Sequence, residues 1–368
     1  MGALSRMKKI LLINPFGIGD VLFTTPIIRA IKENYPESFI GYWCNGRVKD
    51  IFENNPYLDK VFALSRGDLK KVWRQSRLKG IKAFLKLFYD IKREHFNLAL
   101  DFSLDHRYSL LLRLLGVKRI IGLDYKKRGR FLTDKIKIDG YNDKHVIEYY
   151  LDLLKSLNIE IKDKPNIELF ISNEEEKWVD DFLKEHRITD EDLLIGIAPA
   201  GGESWGKDAW LKHWPVVKFA HLADRIIDNY GANVIILGDK QERDIANKMI
   251  NIMRNKPIDL TGKTNLEEFI AIIKDLSLLI TNDGGPLHIA VALGVKTVSI
   301  FGPVDEKVYG PYPPGLNHIV IKKDLACRPC YRNFRFRDCA NQRRCLEDIT
   351  VDEVYSAVKK LTNLNYGL

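Results

Sequence analysis

Short apolar runs alternate with helical stretches along this chain, break off near its middle and then start again. Lys9–Asn14 (KILLIN), Ser38–Cys44 (SFIGYWC), Val61–Leu64, Leu98–Phe102 and Arg119–Leu123 read as strands. Between them, Thr25 reads as a helix cap, Pro26 as a first helical residue, and Ile27, Ile28 and Ile31 as one apolar face. The pattern resumes with Leu193–Ala198, Asn233–Leu237, Leu278–Thr281 and Thr297–Phe301. Thr264 and Glu267 read as a capping box before a helix with Leu266, Phe269, Ile270 and Ile273 on one side. Strands that alternate with helices build parallel sheets covered on both faces. At 368 residues the chain is long enough for two such domains. The stretch Asn158–Asp192 is rich in Lys, Glu and Asp, and the boundary is placed there. The expected domains are residues 1–172 and 173–350, with the last helix (Val351–Leu361, inside 351–368) able to pack on either.

Open α/β sheets bind ligands at the carboxyl ends of their strands, so the loops that follow strands carry the argument. The first is Asn14-Pro-Phe-Gly-Ile-Gly-Asp20. Its glycines permit a tight turn, but a dinucleotide fingerprint needs a third glycine where Leu22 stands. Asp20 reads either as a helix cap or as a carboxylate acting as general base. The second loop, Ala198-Pro-Ala-Gly-Gly-Glu-Ser204, offers bare amides at Gly201 and Gly202. Lys212 follows in Lys212-His-Trp-Pro215, as a phosphate-neutralising charge or a solvated lysine. The third loop, Asn282-Asp-Gly-Gly-Pro-Leu-His288, ends a strand and opens a helix over Pro286–Leu293. Its glycine pair and the helix dipole make an anion site. Asp283 is a hydrogen-bond acceptor there, and His288 is either a phosphate contact or a structural residue.

The net charge of +9 favours anionic partners without naming one. No nucleic-acid-binding module is recognisable. The opening residues MGALSRMKKI lead into a strand rather than a signal sequence, and no run of 18 apolar residues occurs. The expected location is cytoplasmic, with peripheral contact on the inner face of the membrane as its extension. Lys70–Arg93 interleaves apolar residues with Lys70, Lys71, Arg74, Arg77, Lys79, Lys82, Lys86, Lys92 and Arg93. That is the pattern of a helix lying on an anionic membrane, and equally of a solvated helix face. Lys126-Lys-Arg-Gly-Arg130 is a second basic segment. Cys327, Cys330, Cys339 and Cys345 crowd into one stretch, as a structural four-thiolate zinc site or as thiols, reduced or paired.

Taken in order, these segments resemble glycosyltransferase family 9, the heptosyltransferases of lipopolysaccharide core synthesis. Gly17-Ile-Gly-Asp-Val with Thr25-Pro26 is similar to the family's G-x-G-D…T-P motif, and Asn55-Pro-Tyr-Leu-Asp59 to its N-P-x-x-D. Lys212-His-Trp-Pro215 is similar to K-x-W-P, and Leu237-Gly238…Glu242 to its strand–Gly…Glu element. Asn282–His288 is similar to D-[ST]-G-P-x-H, followed by Phe301-Gly-Pro303. The resemblance implies a GT-B fold, two Rossmann-like domains facing across a cleft. It implies inverting transfer, with no metal or cofactor in catalysis, from a nucleotide sugar, typically ADP-heptose, to a lipid-linked core acceptor. Carried over, Asp20 is the base; Gly19 beside it, and Lys126 and Arg128 by their charge, are expected on the acceptor side. Lys212 and the amides of Gly284 and Gly285 hold the diphosphate. Gly201 and Gly202 belong to the donor loop, Glu242 and Asp283 to the nucleoside, and His288 to a phosphate. The chain departs from the family at Gly284, where a hydroxyl residue is usual, and at Gly201 and Gly202. Two other readings stand beside this one: a family transferase with another nucleotide sugar, serving O-antigen or another polysaccharide, and a non-catalytic nucleotide- or glycan-binding protein.

Overall fold

A computed structural model of the chain describes residues 8–161, 165–201 and 203–363. The chain divides into two compact units, Met1–Phe170 and Ile171–Leu368.

The first unit is built on six parallel strands: β1 Lys9–Ile13, β2 Phe39–Cys44, β3 Lys60–Ala63, β4 Leu98–Asp101, β5 Arg119–Tyr125 and β6 Asp134–Ile138. Their order across the sheet is β3-β2-β1-β4-β5-β6. Strand β1 lies inside the sheet, and Ile10, Leu11, Leu12 and Ile13 are completely buried. That is why its sequence is continuously apolar rather than alternating. The helices are α1 Ile18–Leu22, α2 Thr25–Asn34, α3 Arg66–Gln75, α4 Arg77–Glu94, α5 His106–Leu114 and α6 Val146–Lys155. From β1 the chain runs to β2 and β3 on one side, then returns to place β4 on the other. The switch point therefore falls between β1 and β4.

The second unit repeats the plan. Helix α7 Asn173–Glu185 precedes β7 Leu194–Ala198; then follow α8 Val216–Tyr230, β8 Asn233–Ile236, α9 Arg243–Ile252, β9 Ile258–Asp259 and α10 Leu266–Lys274. Next come β10 Leu278–Asn282, α11 Gly285–Ala292, β11 Thr297–Phe301, α12 Glu306–Tyr309, β12 His318–Lys322, α13 Arg344–Glu347 and α14 Val351–Asn363. The order β12-β11-β10-β7-β8-β9 puts the switch point between β7 and β10. Helix α14, which the sequence left free to join either domain, packs on α8 and the β10–β12 side of this second sheet. Its Val354, Ala357, Val358 and Leu361 enter the same core as Trp214, Phe219 and Ile280.

Three local readings shift. Thr24 caps α2 and Thr25 begins it; the Thr25 hydroxyl donates to the Leu22 carbonyl instead. The capping box of α10 is Asn265 with Glu268, one residue later than expected. The basic stretch 70–93 is two helices rather than one. Ser76 ends α3 in extended backbone, and its hydroxyl then accepts the Lys79 N–H to cap α4.

Candidate active site

In a parallel sheet every strand delivers its following loop to the same edge, and a switch point opens a crevice there. Both candidate loops lie at such points. The loop after β1 leads into α1, with Gly17 as N-cap and Asp20 third in the helix. Asp20 is therefore not the capping residue, and its side chain is half-buried. Gly19 precedes it, its carbonyl accepting the Phe23 N–H. Two asparagines hold the loop. Asn14 donates from Nδ2 to the Asp20 carbonyl at 2.9 Å and accepts the Phe16 N–H. Asn45, at the end of β2, donates to the carbonyls of Pro15 and Phe16.

Three buried tyrosines, Tyr42, Tyr141 and Tyr150, surround this corner of the unit. Burial raises their phenol pKa values, and the Asp20 charge raises them further. They stay protonated. The Tyr42 hydroxyl lies 2.7 Å from that of Thr24. Across the switch point, Asp101 ends β4, buried, and accepts the Ser103 N–H at 2.9 Å. Burial pushes its carboxyl up to about 6. Neither Asn45 nor Asp101 is marked by any sequence motif.

Lys126 and Arg128 lie in the loop after β5, exposed, at the same edge of the sheet as Asp20. One strand, β4, intervenes between β1 and β5. The strands that carry the two loops are thus about 10 Å apart, two strand spacings. Asp124 fixes the turn by accepting the Gly129 N–H at 2.8 Å.

In the second unit the loops after β7 and β10 are tied together by Asn282. It donates from Nδ2 to the carbonyls of Pro199 (2.8 Å) and Ala200 (3.2 Å), and its Oδ1 accepts the Trp214 N–H at 2.9 Å. His213 lies with Nε2 2.7 Å from the Gly201 carbonyl, which places the proton on that nitrogen. Burial lowers the pKa of this imidazole. Gly201 has φ +111, backbone that a side chain would strain. Gly202 lies outside the described residues.

Lys212, only 6% exposed, sets its ammonium 2.6 Å from Asp283 Oδ2 and 4.3 Å above the ring of Trp205. The sequence treated the two charges as separate contacts; the fold pairs them. A buried ammonium has three N–H donors, and Asp283 orients it while leaving it able to meet an anion. Trp205 is in turn held against Tyr331 and Phe336.

Gly284 caps α11 with φ 171, extended backbone that any residue adopts, and Gly285 is the first helical residue. The first turn of the helix is where the sequence places an anion site. His288 is buried within the helix. Glu242 stands at the start of α9, after β8, and its carboxylate accepts the Asp239 N–H at 2.9 Å. It lies at the same edge of the sheet as Gly201, Asp283 and Gly284.

All four C-terminal cysteines are free thiols, Cys327 and Cys339 exposed, Cys345 buried. The disulfide alternative is thus not what this structure holds. Among the described residues no group of three or more His, Cys, Asp or Glu is arranged to hold a metal ion. No described helix is long and apolar enough to cross a membrane.

The family model for glycosyltransferase family 9 (heptosyltransferase) matches residues 84–339. The chain belongs to glycosyltransferase family 9. It is 25% identical over 362 residues to the lipopolysaccharide core heptosyltransferase OpsX of Haemophilus influenzae, covering 96% of this chain and 97% of that one. Among solved structures, a family 9 glycosyltransferase from Veillonella parvula aligns over 99% of this chain and 100% of its own, with TM-score 0.82 and 23% identity. The ADP-heptose lipopolysaccharide heptosyltransferase II of E. coli aligns over 98% and 100%, with TM-score 0.76 and 19% identity. The two doubly wound units are those of a GT-B family 9 glycosyltransferase, and the enzyme class follows from membership.

Proposed function

We propose that this family 9 enzyme transfers heptose, with inversion, from ADP-heptose to a lipid-linked sugar of the lipopolysaccharide core. It works at the inner face of the cytoplasmic membrane. The observation that carries the reading is the buried Lys212–Asp283 pair at the β7/β10 switch point, beside the first turn of α11. A diphosphate leaving group needs a preorganised cation and bare amides, and these are both. Heptose and the core acceptor are what the relatives' names specify.

Asp20 takes the proton of the acceptor hydroxyl. The oxygen attacks the anomeric carbon as the bond to the β-phosphate oxygen breaks, and the bonding pair leaves with ADP. Lys212, the amides of Gly284 and Gly285, and His288 balance the charge that develops on the diphosphate. Because no hydroxyl side chain stands at Gly284, the amides carry that contact. Glu242 and Asp283 lie on the nucleoside side, although Asp283 also orients Lys212. Lys126 and Arg128 suit phosphate groups on the acceptor. Nothing in this set requires a metal or cofactor for the chemistry.

The test is Asp20→Asn. Transfer should fall by roughly 100- to 10,000-fold, as for a lost general base, while ADP still binds. Retained turnover would remove Asp20 from the role. A thermal-shift comparison of ADP, GDP, UDP and CMP decides between heptose and another donor, and stabilisation by ADP alone is expected.

A further inference from the structure

Helix α4 buries Leu87 and Ile91 against the first sheet. Its opposite face carries Leu78, Ile81, Leu85 and Tyr89, which are 80%, 50%, 59% and 62% exposed. Their spacing of three and four makes one continuous stripe. Trp73 of α3, 51% exposed, lies at the seam of the hairpin, against the Gly80 side of α4. A Cβ on Gly80 would fall 1.4 Å from the Trp73 ring, so the glycine is what lets the indole lie on α4. The other large exposed apolar residues among those described, such as Leu114, Val217 and Leu316, are scattered singly, which is ordinary for a soluble surface. A stripe is not.

The charges around it have one sign. At about 100° per residue, Lys82, Lys86, Lys79 and Arg93 fall along one flank and Lys92 within the stripe. All five are exposed. The acidic residues of α4, Asp90 and Glu94, fall away from it, and Glu94 is engaged by Lys60 at 2.7 Å. On α3, Lys70, Lys71 and Arg74 are exposed as well. The hairpin begins at the functional edge of the unit: Ser65 follows β3 and caps α3, and Asp68 accepts the Gly46 N–H from the loop after β2. Asp20, Lys126 and Arg128 occupy that same edge.

We infer that the α3–α4 hairpin docks on an anionic lipid bilayer. Helix α4 lies in the interface with Leu78, Ile81, Leu85 and Tyr89 among the acyl boundary and its lysines on the headgroups. Bulky apolar groups on one face and basic side chains beside them are the chemistry of an in-plane helix, and anionic headgroups complete the charge match. Helix α4 is about 27 Å long, long enough to fix the orientation of the unit on the surface. The inference extends the proposed lipid-linked acceptor, since it brings the acceptor edge to the lipid. Its test needs neither donor nor acceptor, so either can fail alone.

The full chain is co-sedimented with vesicles of phosphatidylethanolamine and phosphatidylglycerol, and with vesicles of phosphatidylcholine only. It should bind the first and not the second, and release with salt. Leu78→Ser/Ile81→Ser/Leu85→Ser and Lys79→Gln/Lys82→Gln/Lys86→Gln change only exposed side chains. Each triple variant should bind the anionic vesicles at least about tenfold more weakly, with an unchanged thermal melt and unchanged turnover on a delipidated acceptor. Wild-type chain that ignores both vesicles, binds neutral ones equally, or buries the stripe by self-association overturns the inference. So does undiminished vesicle binding by either variant.

Discussion

Among single residues, Asn282, Lys212 and Asp283 show how the site is held. Asn282 completes hydrogen bonds to Pro199, Ala200 and Trp214, segments far apart in the sequence. The loops were legible because glycine pairs after apolar strands stand out; the residue that binds them together was not, since its importance arises only when three segments meet. The same holds for Lys212 and Asp283, each flagged alone but found as a buried pair. Removing one partner of such a pair strands a charge and costs about 3–5 kcal/mol, whereas replacing both is tolerated. Lys212→Met and Asp283→Leu should each destabilise strongly in urea unfolding. The double variant should recover most of that stability yet bind ADP poorly. Full recovery of ADP binding would make the pair structural only. Asp101 carries a pH prediction. Its folded pKa, about 6, lies above the ordinary value, so the native state holds the proton more tightly. The group therefore costs stability as pH rises from about 4 to 6 and withholds about 3 kcal/mol above that range. Asp101→Asn should unfold at higher urea than wild type at pH 8, with the gap closing below about pH 4. An unchanged gap across pH would contradict the assignment.

At the level of elements, buried strands were easy to read, and of the four edge strands only β3 was. β1, β7 and β10 carry unbroken apolar runs, Ile10–Ile13, Leu194–Ala198 and Leu278–Ile280, because both faces are covered. β6, with Asp134, Lys135 and Lys137, lies at the sheet edge and alternates; β9 is two residues long. β12 is half-buried along its length. β9 and β12 have no pattern that separates them from loop, and the alternation of β6 spans only five residues. The break at Ser76 was hidden for another reason: apolar and basic residues continue across it, and only the cap marks the joint. The cysteine segment makes its own prediction. Burial pushes Cys345 up to about 11 and also raises Cys330. Iodoacetamide followed by mass spectrometry should label Cys327 and Cys339 first, and Cys345 and the buried Cys44 last. Uniform protection after adding zinc would instead reveal a four-thiolate site that the free-thiol geometry does not display.

For the whole molecule, two doubly wound units account for the fold, and each puts its functional loops at its own switch point. The proposed chemistry divides between them, a base after β1 and an anion site after β7 and β10, which is why neither loop alone identified the reaction. Incubating the protein with ADP-heptose and heptose-deficient lipopolysaccharide, then weighing the acceptor by mass spectrometry, tests this most directly. The account predicts one added heptose and released ADP with the wild-type chain, and neither with Asp20→Asn. Unmodified acceptor from the wild type, or the same product from both, would contradict it.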